Sequence, residues 1–203
     1  MRLVSRSNGY RVDMTYTAGI DRSPVDILTQ LLADHRATAD LLGRWERTPA
    51  EGREAFFCEV VPTLVGHEVA EEEVVYPAIR GVDDGIGPML AARLEEQAAA
   101  EELLAQMEKM DPTSPVFETA FGQLRRAVLA HAEHEQDDVF PLLDRHADVL
   151  DRPSLGIRYE RAKAAAPTHP HPHAPDTPPG NLVAGPIAAM IDRVRDAVHG
   201  VHH

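Results

Sequence analysis

The sequence carries one chemical pattern twice. His67 precedes Glu71 by four residues and His131 precedes Glu135 by four, and each pair leads to an aromatic-proline step, Tyr76-Pro77 in the first copy and Phe140-Pro141 in the second. Residues four apart in a helix share a face about one turn apart, so each copy can aim an imidazole and a carboxylate at one point. Imidazole nitrogen and carboxylate oxygen together are ligands for transition metals. Two such helices facing each other would build a metal site.

Burial sharpens this expectation. Val60, Leu64, His67, Glu71, Val74, Val75 and Ile79 follow one helical stripe, and Leu124, Val128, His131, Glu135 and Val139 follow another. Ionised carboxylates buried among aliphatic side chains cost several kcal/mol each unless a counter-charge is present, and neither stripe carries Lys or Arg. A dication is the simplest partner. The competing reading is a pair of solvated acidic faces with incidental histidines; it leaves the shared aromatic-proline offset unexplained. His35 joins the set from an earlier helix, on a stripe with Leu28, Leu31, Leu32, Thr38 and Leu42.

Four helices must position these groups. Ser23-Pro24 with Asp26 reads as a helix start, and apolar residues recur from Ile27 to Trp45 before Thr48-Pro49. A second helix spans about 50–80, with a kink expected at Pro62 because proline removes a backbone donor. A third covers about 88–110 and a fourth about 115–149, separated by Asp111-Pro112-Thr113-Ser114-Pro115. Nothing from 24 to 150 alternates with period two, so strands are not expected. Four amphipathic helices with short connections predict an all-α, up-down-up-down antiparallel four-helix bundle. Asp34-His35-Arg36 leading to Leu41-Leu42 matches Glu96-Gln97-Ala98 leading to Leu103-Leu104, so the bundle reads as an internal duplication.

These residues resemble the hemerythrin-like (HHE cation-binding) family, whose pattern is His, HxxxE, His, HxxxE on successive helices, with aromatic-Pro after each HxxxE. The resemblance covers about residues 24–150. It implies a non-haem diiron centre, two iron ions joined by an oxo or hydroxo bridge, with Glu71 and Glu135 bridging and the histidines capping. By position His35, His67, Glu71, His131 and Glu135 match. The third-helix histidine does not, because Gln97 stands there. Glu101, one turn after Gln97, is the best placed substitute ligand, with Glu68 and His134 as weaker ones. An added carboxylate would favour the ferric ion and lower the centre's potential, shifting the expectation from oxygen carriage toward peroxide breakdown.

The rest of the chain reads differently. Residues 1–23 form a leader, 151–185 a Pro/His-rich linker with His169, His171 and His173, and 186–203 a short amphipathic helix that docks on the bundle or on a protein partner. Tyr10 and Tyr16 are remote candidates for phenolate ligation. The net charge of −13, from 20 basic and 33 acidic residues, argues against nucleic acid as a partner. No segment has the length of a membrane span, and no signal peptide is evident. The single cysteine, Cys58, fits a reducing cytoplasmic setting and is expected to be buried and inert beside Phe56 and Phe57. The leading functional expectation is a diiron protein that reacts with O2, H2O2 or NO, with catalase-like peroxide removal as its enzymatic form. The alternatives are a non-enzymatic iron, oxygen or redox sensor and a metal-free or zinc-bound structural bundle.

Overall fold

Proline placement accounts for the most unusual stretch of backbone. A computed structural model of the chain describes residues 25–172. The 1–23 leader, Ser23-Pro24, His173 and the 186–203 helix lie outside the described residues. Asp26 caps α1 (Ile27–Gly43), its carboxylate accepting from the N–H groups of Leu28 and Thr29. Short 3-10 turns lead into α2 (Arg53–Ala70), which runs through Pro62 unbroken. Regularity fails later, in a π turn over Glu71–Val75 before α3 (Tyr76–Arg80). Pro77 explains it: the residue has no N–H, and in an α-helix its ring would press on the carbonyl of Glu73. Widening the turn relieves that clash, and the Tyr76 N–H now bonds to the Glu71 carbonyl. The second copy also loses helical regularity ahead of its proline, without a π turn. Two residues before Pro141, at Val139, α5 (Pro115–Asp138) gives way to α6 (Phe140–Arg145).

Between the copies lies α4 (Gly87–Met107). α4 packs on α5, α1 packs on α2 and α5, and α2 touches α4. Consecutive helices that pack across short connections run antiparallel, which gives the expected bundle. Among the described residues there is no strand.

The core is divided into two. Trp45, Phe56, Phe57, Leu104, Phe117, Phe121 and Leu124 belong to one apolar cluster, and Ile27, Leu31, Val75, Ile79, Leu90, Leu143 and Tyr159 to the other. His35, Thr38, His67, Glu71, Gln97, His131 and Glu135 are buried as well but belong to neither.

Two expectations need correction. The first half of the 151–185 segment is not linker: Arg152–Ala165 form α7, which packs on α1, α2 and the π turn. Asp151 caps it, and Leu155, Tyr159 and Ala162 recur at helical spacing on its buried face. Its close fit requires glycine at 156, where a Cβ would stand 2.2 Å from the Val25 carbonyl oxygen. Arg152 ties its start to that of α1 by a two-pronged pair with Asp26, at 2.7 and 2.8 Å. Beyond α7 the chain crosses to α4, where the His171 N–H donates to Glu101 and His169 pairs with Glu108. Cys58, secondly, is exposed. One to two residues past Phe56 and Phe57, the helical rotation turns it off the apolar stripe.

Candidate metal centre

Helices α1, α2 and α5 and the π turn after α2 bring His35, His67, Glu135 and Glu71 to one end of the site. One ligand atom from each falls within 4.8 Å of the others. His35 Nε2 lies 3.3 Å from Glu135 Oε2 and 3.8 Å from Glu71 Oε1, and His67 Nε2 lies 3.2 Å from Glu71 Oε1. At the other end Glu68, Glu71 and His131 converge within the same limit. His131 Nε2 is 3.6 Å from Glu135 Oε2 and 3.8 Å from Glu68 Oε2. Glu71 belongs to both groups, and Glu135 contacts a histidine at each end.

Surrounding side chains hold these groups in place. The far nitrogen of His131, Nδ1, lies 2.9 Å from Glu96 Oε2, and Glu96 in turn accepts from buried Arg93. His67 Nδ1 meets the Tyr159 hydroxyl at 2.6 Å. His35 Nδ1 faces Gln136 Nε2 at 3.3 Å, and its ring stacks on Phe140 with centroids 5.2 Å apart. Carboxylates and hydroxyls in such outer positions fix imidazole orientation and tautomer.

Gln97 is neither a ligand nor a bystander. Its amide donates to Glu71 Oε2 at 3.3 Å and to the Tyr76 oxygen at 3.0 Å, while Tyr76 donates to Glu135 Oε1 at 2.7 Å. The π turn makes this bridge available. At 3.6 residues per turn Tyr76 would sit about 140° around the helix from Glu71. The wider turn stacks it over Glu71 instead.

Charge in this layer is arranged unevenly. Burial, followed by the charges of Glu135 and Glu68, holds the Glu71 carboxyl well above the usual range. Burial also pushes Glu68 up to about 7. Glu135 resists the same burial because the His35 imidazole 3.3 Å away and the charges of His131 and His67 pull it down to about 2. His67 is lowered, with burial as the main cause, whereas His131 is raised by Glu68, Glu135 and Glu96 against its own burial.

Whether these residues suit a metal is answered by their unused atoms. His35 Nε2, Glu68 Oε2, Glu71 Oε1, His131 Nε2 and Glu135 Oε2 are all buried without a hydrogen-bond partner, and they face one another. Buried lone pairs left unsatisfied are costly, and five converging ones fit cations. Among the described residues no Lys or Arg pairs with Glu68, Glu71 or Glu135; Arg93 and Lys163 pair with Glu96, Asp138 and Asp34.

This architecture and donor set match a known family. The family model for the hemerythrin HHE cation-binding domain matches residues 26–151. The chain belongs to that family. A hemerythrin-like protein of Schizosaccharomyces pombe is 33% identical over 134 residues, covering 66% of this chain and 66% of that protein. A DNA nickase of Nostoc sp. is 25% identical over 156 residues, covering 75% of this chain but only 43% of the nickase. The solved structure of an HHE cation-binding domain-containing protein from Mycobacterium kansasii shares the fold, with a TM-score of 0.59 at 20% identity, over 69% of this chain and 88% of that one.

Of the residues expected from sequence, His35, His67, Glu71, His131 and Glu135 meet at the site. Glu101 does not: it joins neither converging group, and its carboxylate accepts from the His171 backbone. Glu68 is the acid that converges with Glu71 and His131. His134 is exposed and pairs with Glu96. Tyr76, Tyr159, Asp34, Glu96 and Arg93 were not anticipated as supports. Asp34 beside His35 and Glu96 beside Gln97 were visible as neighbours in sequence, but only the fold pairs them with histidines on other helices.

Proposed function

We propose that this chain holds two iron ions, one among His35, His67, Glu71 and Glu135 and the other among His131, Glu68, Glu71 and Glu135, and reacts there with O2, H2O2 or NO. The observation that carries this reading is the convergence of five unpaired buried donor atoms between two HxxxE helices. A bound iron pair would supply one-electron redox chemistry and an open position for a small oxidant.

The chain's own residues do the rest. Glu71, held above the carboxylate range, retains a proton that a cation would replace. Glu135 stays ionised and receives the Tyr76 hydroxyl proton as a hydrogen bond. Tyr76 can pass orientation from Glu135 to Gln97 and so to Glu71, linking both carboxylates through neutral groups. Phe140 and the two apolar clusters keep bulk water and large molecules from this layer. Glu68 supplies a carboxylate where the family pattern has an imidazole, which favours oxidised iron and peroxide breakdown over reversible oxygen carriage.

Similarity to the nickase is not carried over as DNA chemistry, since a net charge of −13 repels phosphates. A cytoplasmic setting belongs to the proposal and is supported by the single cysteine. No helix among the described residues is long and apolar enough to cross a membrane.

The test is metal content, with an ultraviolet-visible spectrum, of the full chain purified without a His tag. Two irons per chain with charge-transfer bands are expected, and zinc or no metal overturns the reading. Peroxide turnover that is lost in Glu71→Ala marks an enzyme. A sensor is the second reading, favoured by α7, which contacts His67 and stands between the bundle and the C-terminal residues in the sequence. Two irons without turnover would support it.

A further inference from the structure

Helix α7 lies just past the segment that matches the family model, yet it reaches the site. Tyr159 is fully buried, and its hydroxyl touches two groups: His67 Nδ1 at 2.6 Å and Asp34 Oδ2 at 2.8 Å. Lys163, one turn further along α7, donates to the same Asp34 oxygen at 2.6 Å. Asp34 is therefore an ionised acceptor held by an ammonium group, and it can take only a proton donor from Tyr159. The phenol has one proton. Once that proton points to Asp34, the Tyr159 oxygen can only accept, so His67 must donate from Nδ1.

Resting on the metal reading above, we infer that Tyr159 is a positioning residue of the centre: it holds His67 as the Nδ1–H tautomer and leaves Nε2 bare toward Glu71 and the metal. The two ends are thus supported by different chemistry. His131 Nδ1 has an anion, Glu96, at 2.9 Å, whereas the nearest partner of His67 Nδ1 is the neutral Tyr159 phenol at 2.6 Å, with the Asp34 carboxylate further off at 3.7 Å. The supports come from different helices as well, since Glu96 lies on α4 and Tyr159 on α7. Gly156 and the Arg152–Asp26 pair, which seat α7 against α1, serve this placement.

Tyr159→Phe keeps the ring and removes the oxygen. In the metal-free, histidine-labelled full chain, long-range proton–nitrogen NMR should show His67 as Nδ1–H in the wild type and a shift toward Nε2–H in the variant. Zn(II) titration against a chromogenic chelator should weaken one of two equivalents roughly 10- to 100-fold and leave the other unchanged. Leu155→Ala, which loosens α7 packing without touching these hydrogen bonds, should lower thermal stability while the tautomer and both affinities stay at wild-type values. An unchanged tautomer, an unchanged Zn(II) affinity in Tyr159→Phe, or an equal loss in Leu155→Ala overturns the inference. A wild-type chain that takes up no Zn(II) overturns the metal reading beneath it, a result separable because the tautomer is read without metal.

Discussion

Replacing Glu71 with Gln separates what the carboxylate does for metal from what it does to the fold. Ligand atoms of Glu71 and Glu135 lie no more than 4.8 Å apart. Two full charges at that distance repel by about 3.5 kcal/mol at an effective dielectric constant near 20. The metal-free protein escapes part of this by keeping Glu71 protonated, which makes its stability depend on pH. A carboxyl raised in the folded state leaves stability greatest below the unfolded carboxylate range near 4.3, and stability then falls as pH rises toward the folded value. Glu68, pushed to about 7, adds to the fall in the same direction. Glutamine is nearly isosteric, keeps an oxygen for Gln97 and carries no charge. Metal-free Glu71→Gln should therefore be more stable than the wild type at pH 8, by about 1–3 kcal/mol, with a shallower decline between pH 5 and 8. For a domain of this size that is a rise in Tm of roughly 2–12 °C. The wild type should gain about 2.7 kcal/mol from metal at one hundred times its Kd, and the variant much less. Urea denaturation with and without Zn(II) reads both effects. A variant less stable than the metal-free wild type at pH 8, or one stabilised equally by Zn(II), would refute the reasoning.

Glu68→Gln should lower metal stoichiometry or weaken one equivalent at least tenfold in the same titration, while Glu101→Gln should not, because only Glu68 converges with Glu71 and His131. Tyr76→Phe removes the donor to ionised Glu135 and the acceptor for Gln97, and should destabilise the metal-free chain by about 1.5–3 kcal/mol in urea. Arg152→Met should cost about 1 kcal/mol and speed hydrogen exchange in α7 at pH 7. Arg152 holds the Asp26 carboxyl below its usual range, so this contribution is present above about pH 4 and is lost as pH falls through the folded value; the two chains should converge in strong acid.

The bundle and most of its candidate ligands were legible because helical period and ligand spacing coincide: His67 and Glu71, like His131 and Glu135, are both one turn apart and in line with aliphatic residues. Gln97 was legible as a mismatch, but its work was not. Its amide reaches Tyr76 only because the π turn adds a residue of rotation, and the cue for that turn, Pro77, read merely as part of a motif. Glu101 ranks above Glu68 in sequence because it lies one turn after Gln97 on the same helical face. The fold instead draws the substitute from the neighbour of His67, and the chain beyond α7 engages Glu101. Helix α7 was missed because its buried stripe is narrow and the Ala- and Pro-rich residues after it dominated the composition. Side-chain partners on α4 and α7 depend on packing between helices and leave no local pattern.

The division of the core into two apolar clusters has a consequence for folding. Each cluster can bury its own surface, so in the metal-free chain the acidic layer is the seam along which the molecule is least bound to itself. Cations ligated from α1, α2 and α5 would rivet that seam. Loading would then tie the two clusters together across that layer, so that a sharper transition, and not only a higher midpoint, would mark a filled protein.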